Sequence, residues 1–162
     1  MKIYFSLSLT YAGKRTFLQS FANRTLPKHR NRASQMVNTK SIYDPTEKSD
    51  GKRFLVTRYW SRGISKEKLK LSGWVRELAP SKELLNDWKN NNISWQDYEL
   101  RYFKEMENKQ EFIKELANLA ASGTITLLCF EKENNPHCHR HLLKNLLKNR
   151  ITRDIKCTYE KN

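Results

Sequence analysis

The stretch that most constrains the fold of this 162-residue chain is residues 124–140, TITLLCFEKENNPHCHR. Residues 124–130 show no polar alternation, the pattern of a strand covered on both faces. A chain holding such a strand needs a second layer above and below its sheet. The strand closes on Cys129, a polar loop follows, and Cys138-His139-Arg140 opens a helix whose apolar positions are Leu142, Leu143, Leu146 and Leu147. Open α/β sheets bind ligands beyond the carboxyl ends of their strands, where loops meet helix N-termini. The sequence thus marks where a site would lie.

The rest of the chain supplies the other layers. Phe5, Leu7 and Leu9 alternate with Ser6, Ser8 and Thr10, a half-buried strand, with a secretory or mitochondrial targeting segment and a disordered extension as its rivals. Residues 24–41 lack periodicity and read as a basic loop or linker. Asp44-Pro45 and Ser49-Asp50-Gly51 are turn chemistry, residues 54–60 a strand, and Arg62-Gly63 its terminating turn. Ser65 and Ser81 are N-caps, and Ser94 with Asp97 forms a capping box. Trp74, Val75 and Leu78 stand at helical spacing. Trp88, Trp95, Tyr98 and Tyr102 lie on helical stripes and are assigned to the core. Asn90-Asn91-Asn92 and Gly123 stop helices, and residues 155–159 are expected as a last edge strand. The order specifies an α/β fold: one domain, a small mostly parallel sheet, helices on its faces. The expected division is a basic segment over 1–36 and an α/β domain over 37–162.

Charge bears on partners. The net charge is +14, and residues 1–43 contribute +8, with eight Lys/Arg and no acid; the remainder holds 23 bases against 17 acids. A basic arm of this kind attracts polyanions by itself, so nucleic acid is one expected partner through the N-terminal segment. No run of 18 apolar residues exists, so no membrane-spanning helix is expected. Three cysteines are an odd count in a chain well past mini-protein size, which favours a reduced, cytoplasmic setting over a disulfide scaffold.

Residues 37–150 resemble the domain-of-unknown-function 488 family, the YeaO-like proteins. The matching pieces are Asp50-Gly51-x-Arg53-x-Leu55-Val56-x-Arg58-x-Trp60-x-Arg62-Gly63, Ser65-Lys66, and Trp74-x-x-Glu77-Leu78-Ala79-Pro80-Ser81. The spacing continues through Leu84, Trp88, Trp95, Tyr98, Arg101, Tyr102 and Glu105 to Thr126-Leu127-Leu128. Cys129 with Cys138-His139-Arg140 resembles the cysteine-bearing members of the wider family. The chain departs from the family pattern at Thr57 (Asp in relatives), at Ser61 (Pro), and near Asn91-Asn92 (His-Asp). The resemblance implies a compact α/β domain and supplies no established reaction.

The candidate chemistry is therefore read from the residues. Cys138, at a helix N-terminus, is the candidate nucleophile or redox thiol, and His139 the candidate base. Arg58, Arg62 and Arg140 are candidate anion-binding residues, with Cys129 completing the ligand-binding set. The expected ligand is small and anionic, phosphate- or nucleotide-like. The ordinary alternatives are that Cys129 is a small core hydrophobe and Cys138 an incidental loop thiol, and that the arginines pin loops through Glu77 or Asp50. A Cys-x5-Arg phosphatase loop is excluded, because position 144 is Lys. Zinc is the second chemistry: Cys129, His137, Cys138, His139 and His141 offer enough nitrogen and sulfur. The nine-residue step without a CxxC pair is not a standard structural-zinc spacing, and neighbouring Cys138 and His139 are expected to diverge on a helix. No residue is assigned to a metal, and the cofactor stays open.

Overall fold

Four short strands lie side by side, all parallel, in the order β1-β4-β2-β3. They are β1 (Val37–Ser41), β2 (Lys52–Leu55), β3 (Gly73–Trp74) and β4 (Ile125–Cys129) in a computed structural model that describes residues 37–60 and 63–159. The helices are α1 (Lys66–Leu69), α2 (Lys82–Lys89), α3 (Trp95–Glu107), α4 (Gln110–Ser122) and α5 (His139–Tyr159). The strand expected over Phe5, Leu7 and Leu9 lies outside the described residues, as does Arg62. No described helix is long and apolar enough to cross a membrane.

The expected α/β architecture is present, and β4 is its centre. It pairs with β1 on one side and β2 on the other, and all five of its residues are buried. Ile125 and Leu127 enter the main core with Phe54, Val56, Leu78, Tyr102, Leu116 and Leu143. Leu128 points the other way, into a smaller cluster with Ile42, Leu55 and Leu69, closed by Trp60 and Trp74. The absence of alternation in the sequence is this two-sided burial. On the main face α4 packs on α5, and α5 packs on β1 and β4.

The caps behave as their sequences require. Ser81 Oγ accepts the Leu84 N–H at 3.0 Å, Ser94 Oγ accepts the Asp97 N–H at 3.1 Å, and Ser65 Oγ accepts the Lys68 N–H at 3.2 Å. Asp97 returns the bond to the Ser94 N–H, completing the capping box. Glu105 of α3 takes the Ser81 N–H at 2.8 Å and ties the entry of α2 to its neighbour. Buried Tyr102 donates its hydroxyl to the Leu78 carbonyl at 2.9 Å, linking α3 to the turn before α2. Tyr102→Phe strands that carbonyl and is expected to cost about 1–2 kcal/mol in chemical denaturation, with an unchanged denaturant slope.

Four expectations are corrected. Residues 37–41 are an edge strand rather than the end of a linker; only Val37 and Ser41 are buried. The strand expected over 54–60 ends at Leu55, although the Val56 N–H still reaches the Leu128 carbonyl at 3.0 Å. Beyond it Thr57 Oγ1 bonds the Tyr59 carbonyl and Trp74 Nε1 donates to the Thr57 carbonyl, turning the chain off the sheet. Trp74, expected on a helix, closes β3, and only the 3-10 turn Arg76–Leu78 follows. Residues 155–159 are the last turns of α5, not an edge strand. The Arg150–Asp154 pair at 3.0 Å, four residues apart on that helix, supports its continuation.

Candidate functional site

β4 delivers Cys129 to the carboxyl end of the sheet, and the loop that follows folds back so that Cys138 and His139 meet it. The two sulfurs and a ring nitrogen of His139 all lie within 4.8 Å of one another, and all three residues are buried. The expected divergence of Cys138 and His139 does not occur, because α5 begins at His139 and Cys138 precedes it. Cys138 instead stands at the helix cap, its carbonyl accepting the His141 N–H at 3.0 Å. All three cysteines are free, and Cys157 is exposed on α5.

The second constraint on the cluster is electrostatic. A hydrogen bond from Cys138 holds the Cys129 thiol down to about 5, against the opposing effect of burial, with help from His139, the Glu131 backbone and Arg140. Cys138 is pushed up, because it hydrogen-bonds the Cys129 sulfur and is itself buried beside that charge. The pair thus loses its first proton easily and keeps its second. Thiolate character falls on Cys129, while the sequence reading gave the nucleophile's role to Cys138. His139 Nε2 lies 2.7 Å from the Val56 carbonyl. A carbonyl only accepts, so Nε2 carries the hydrogen and the lone pair of the neutral ring is on Nδ1.

The three side chains line a cleft of about 400 Å³. Its walls come from the segment after β2 (Thr57, Arg58, Tyr59), from α2 (Leu85, Trp88, Lys89), from Asn91 and Tyr98, and from Phe130, Glu131 and His137. Arg58 therefore does reach the cluster's surroundings. Its Nε donates to the Pro80 carbonyl and its Nη2 to the Ala79 carbonyl at 3.3 Å, so it is pinned by carbonyls rather than by Glu77 or Asp50. Asp50 is engaged elsewhere, with Arg53 and with Lys40 at 2.8 Å. Arg140 does not line the cleft. Fully buried, it donates to the Lys40, Glu131 and Lys132 carbonyls and pairs with Glu133, holding the loop that carries Cys138 back to Cys129.

Sequence reasoning passed over Lys89, Trp88, Asn91, Glu131 and Tyr98 as site residues. Trp88 and Tyr98 do pack with the core as their helical spacing required, but both also face the cleft. Asn91 adopts a positive φ of 56°, and the Asn90-Asn91-Asn92 run was the available sign of a shaped loop beside them. His137, exposed, packs at a 30° tilt on Trp95 with centroids 4.8 Å apart and meets Trp88 edge-on at 5.9 Å. His141 turns to the Asn135 carbonyl at 3.1 Å.

Comparison with known proteins fixes the relationship. A family described as the active DUF488-N3 subclade matches residues 37–151. The uncharacterized protein YeaO of Escherichia coli K12 is 34% identical over 112 residues, 69% of this chain and 96% of YeaO. The uncharacterized proteins Mb3100c of Mycobacterium bovis and Rv3073c of Mycobacterium tuberculosis are each 29% identical over 90 residues, 56% of this chain and 75% of theirs. No solved structure matches. With the α/β fold and the match spanning the whole sheet, the chain belongs to the DUF488 family of YeaO-like proteins.

Proposed function

We propose that this protein is an enzyme acting on a small anionic molecule, phosphate- or nucleotide-like, with Cys129, Cys138 and His139 as its reactive centre. The observation that carries the reading is the buried thiol pair at the floor of a cleft whose walls include Arg58 and Lys89. Two cations in the cleft walls supply charge for an anionic ligand, while the Cys138 hydrogen bond, with His139 and Arg140, keeps the Cys129 sulfur in its nucleophilic form. A volume of about 400 Å³ is within the range of small-ligand pockets, and Trp88 and Tyr98 in its lining supply an apolar wall. Cys129 is the nucleophile in this reading, Cys138 the thiol that stabilises it by hydrogen bonding, and His139, with its Nδ1 lone pair, the proton acceptor.

The test is the pH dependence of iodoacetamide alkylation, resolved by mass spectrometry, on reduced, chelator-treated protein. A depressed pKa means the thiolate dominates above that value and is lost below it. Cys129 alkylation is therefore expected to rise at a pH well below that at which an ordinary thiol ionises. Exposed Cys157 serves as the accessible-thiol control for the labelling. Nucleoside monophosphates or pyrophosphate are expected to protect Cys129, and Arg58→Gln to weaken that protection. A Cys129 that ionises at the ordinary thiol value of about 8.5, with no protection by any phosphate compound, would overturn the reading.

One sequence observation favours a second reading, a nucleic-acid-associated protein: the acid-free +8 charge of residues 1–43. It calls for affinity that falls steeply with salt and disappears on deleting residues 1–36. The deletion must stop there, because β1 begins at Val37.

A further inference from the structure

We infer that Cys129, Cys138 and His139 together form a zinc site, with three protein ligands and a fourth position open to the cleft. The inference rests on the anionic-ligand part of the reading above and replaces its covalent part: with zinc bound, Cys129 and His139 act as ligands in place of nucleophile and proton acceptor. The donor set argues first. Two thiols and one imidazole converge within 4.8 Å, and no carboxylate belongs to the group. Soft sulfur with nitrogen selects zinc over magnesium or calcium, which take oxygen. Tetrahedral zinc, with Zn–S about 2.3 Å and Zn–N about 2.0 Å, separates its ligand atoms by roughly 3.5–3.8 Å. The observed spacing therefore needs side-chain adjustments of about 1 Å at most.

The surroundings argue next. A metal-bound histidine characteristically donates its other ring nitrogen to a carbonyl or carboxylate, which fixes the tautomer and aims the lone pair. His139 already does this, through Nε2 and the Val56 carbonyl at 2.7 Å, in a buried position. That bond also ties the ligand to β2's end of the sheet, so the site spans the two central strands. Two thiolates and a divalent ion sum to zero charge, which suits a pocket where all three residues are buried. Without the ion, a second thiolate beside the first is opposed by both charge and burial. The loop needs no rearrangement to gather the ligands, because Arg140 holds the Glu131 and Lys132 carbonyls at 2.7 Å each.

Three ligands leave one position. Of the other described histidines, His137 packs at a tilt on Trp95 and His141 bonds the Asn135 carbonyl. The cleft is the remaining side, so the fourth position holds water or an oxygen of the anionic ligand. That is the composition of a catalytic rather than a structural zinc site. It gives the cleft a Lewis acid next to Arg58 and Lys89, the chemistry that polarises an anion's oxygen or lowers the pKa of a bound water.

The experiment titrates metal-stripped, reduced full-length protein with Zn²⁺ against a chromogenic chelator, and repeats the titration with Co²⁺ in an absorption cell. The expected result is one ion per chain at submicromolar affinity. Cobalt should give tetrahedral visible bands and a thiolate charge-transfer band, which identifies the ligands even if a variant fails to fold. Cys129→Ser and Cys138→Ser are each expected to weaken binding at least about 100-fold, and Cys157→Ser to leave it unchanged. Bound zinc should also block alkylation of Cys129 and Cys138 while Cys157 still reacts. No stoichiometric binding, a cobalt spectrum without thiolate charge transfer, or affinity surviving both serine variants would each overturn the inference. If zinc fails to bind while Cys129 is still alkylated well below the ordinary thiol range and is protected by a phosphate compound, the metal is excluded and the thiol-enzyme reading stands. If zinc binds through the three residues but no phosphate compound enters the cleft, the metal site stands and that reading falls.

Discussion

Arg140→Leu is expected to lower stability by roughly 3–5 kcal/mol, a large share of the 5–15 kcal/mol that holds a typical domain folded. The guanidinium is fully buried and is the junction of three segments. Its Nη1 donates to the Lys40 carbonyl of β1 at 3.2 Å and to Glu131 at 2.7 Å, and its Nη2 donates to Lys132 at 2.7 Å. Glu133 lies 3.2 Å from Nη2 and neutralises it, while Nε has no partner among the described residues. Leucine keeps part of the apolar stem and strands three carbonyls, each worth about 1–3 kcal/mol if water cannot reach it. Residues 131–133 are exposed, so water recovers part of that loss, which sets the estimate below the full sum. Arg140→Lys should recover only a fraction, because a point charge cannot serve diverging carbonyls as a planar fork does. Urea denaturation measures the loss as a shift in midpoint at constant slope. The variant also separates anchoring from chemistry. If Arg140 acts by holding the loop, alkylation of Cys138 should accelerate in Arg140→Leu under native conditions, as the buried thiol becomes accessible. A loss under about 1 kcal/mol would mean that solvent replaces the guanidinium and that the loop holds itself.

The extent to which this arrangement was readable beforehand follows from what periodicity can encode. β4 was legible because a strand buried on both faces must be apolar throughout, and its neighbours were bracketed by turn and cap chemistry at Gly51, Ser65, Ser81 and Ser94. β1 was not, because an edge strand pairs on one side only: VNTKS buries just Val37 and Ser41, and its polar middle resembles a linker. The end of α5 misled in the opposite direction. Ile151 and Ile155 are β-branched, but they recur four residues apart, and the Arg150–Asp154 pair shares that spacing. Sequence order also placed Cys129, Cys138 and His139 near the sheet's carboxyl end without showing that they touch. Their meeting depends on the fold-back of residues 130–137, which is held by Arg140 through backbone carbonyls, and backbone acceptors have no sequence signature. Lys89 and Trp88 were illegible as site residues for a related reason. They reach the cleft from α2, some forty residues away in the chain, through packing of α2 on α3.

Gly51→Ala is expected to be the most damaging single-methyl change in the described domain, costing roughly 3–5 kcal/mol. Gly51 sits at φ 61° and ψ −132°, a conformation that alanine strongly disfavours. The added Cβ would also stand 2.1 Å from the Thr124 carbonyl oxygen and 2.8 Å from its carbon. Neither side can retreat cheaply. The Lys52 N–H donates to that same Thr124 oxygen at 3.0 Å, and Thr126 Oγ1 donates to the Asp50 carbonyl at 2.7 Å. Moving Gly51 away therefore breaks the start of the β2–β4 ladder, where Lys52 faces Ile125 and Arg53 faces Thr126. Two other glycines separate the contributions. Gly63 has φ 80° with nothing within 4 Å of a built Cβ, so Gly63→Ala carries the backbone penalty alone, about 1–2 kcal/mol. Gly123 is extended at φ 168° with open space, and Gly123→Ala should be neutral or slightly stabilising through the unfolded chain. Urea midpoints should then rank the three with Gly51→Ala far below the others. Because the strained turn feeds β2, and β2 ends beside the Val56 carbonyl that orients His139, the same variant should loosen the cluster at the opposite end of the sheet. That is measurable as faster alkylation of Cys129 and Cys138 under native conditions. A Gly51→Ala loss equal to that of Gly63→Ala would show that the β2–β4 ladder yields at its start, and would locate the sheet's rigidity in β4 and α5 instead.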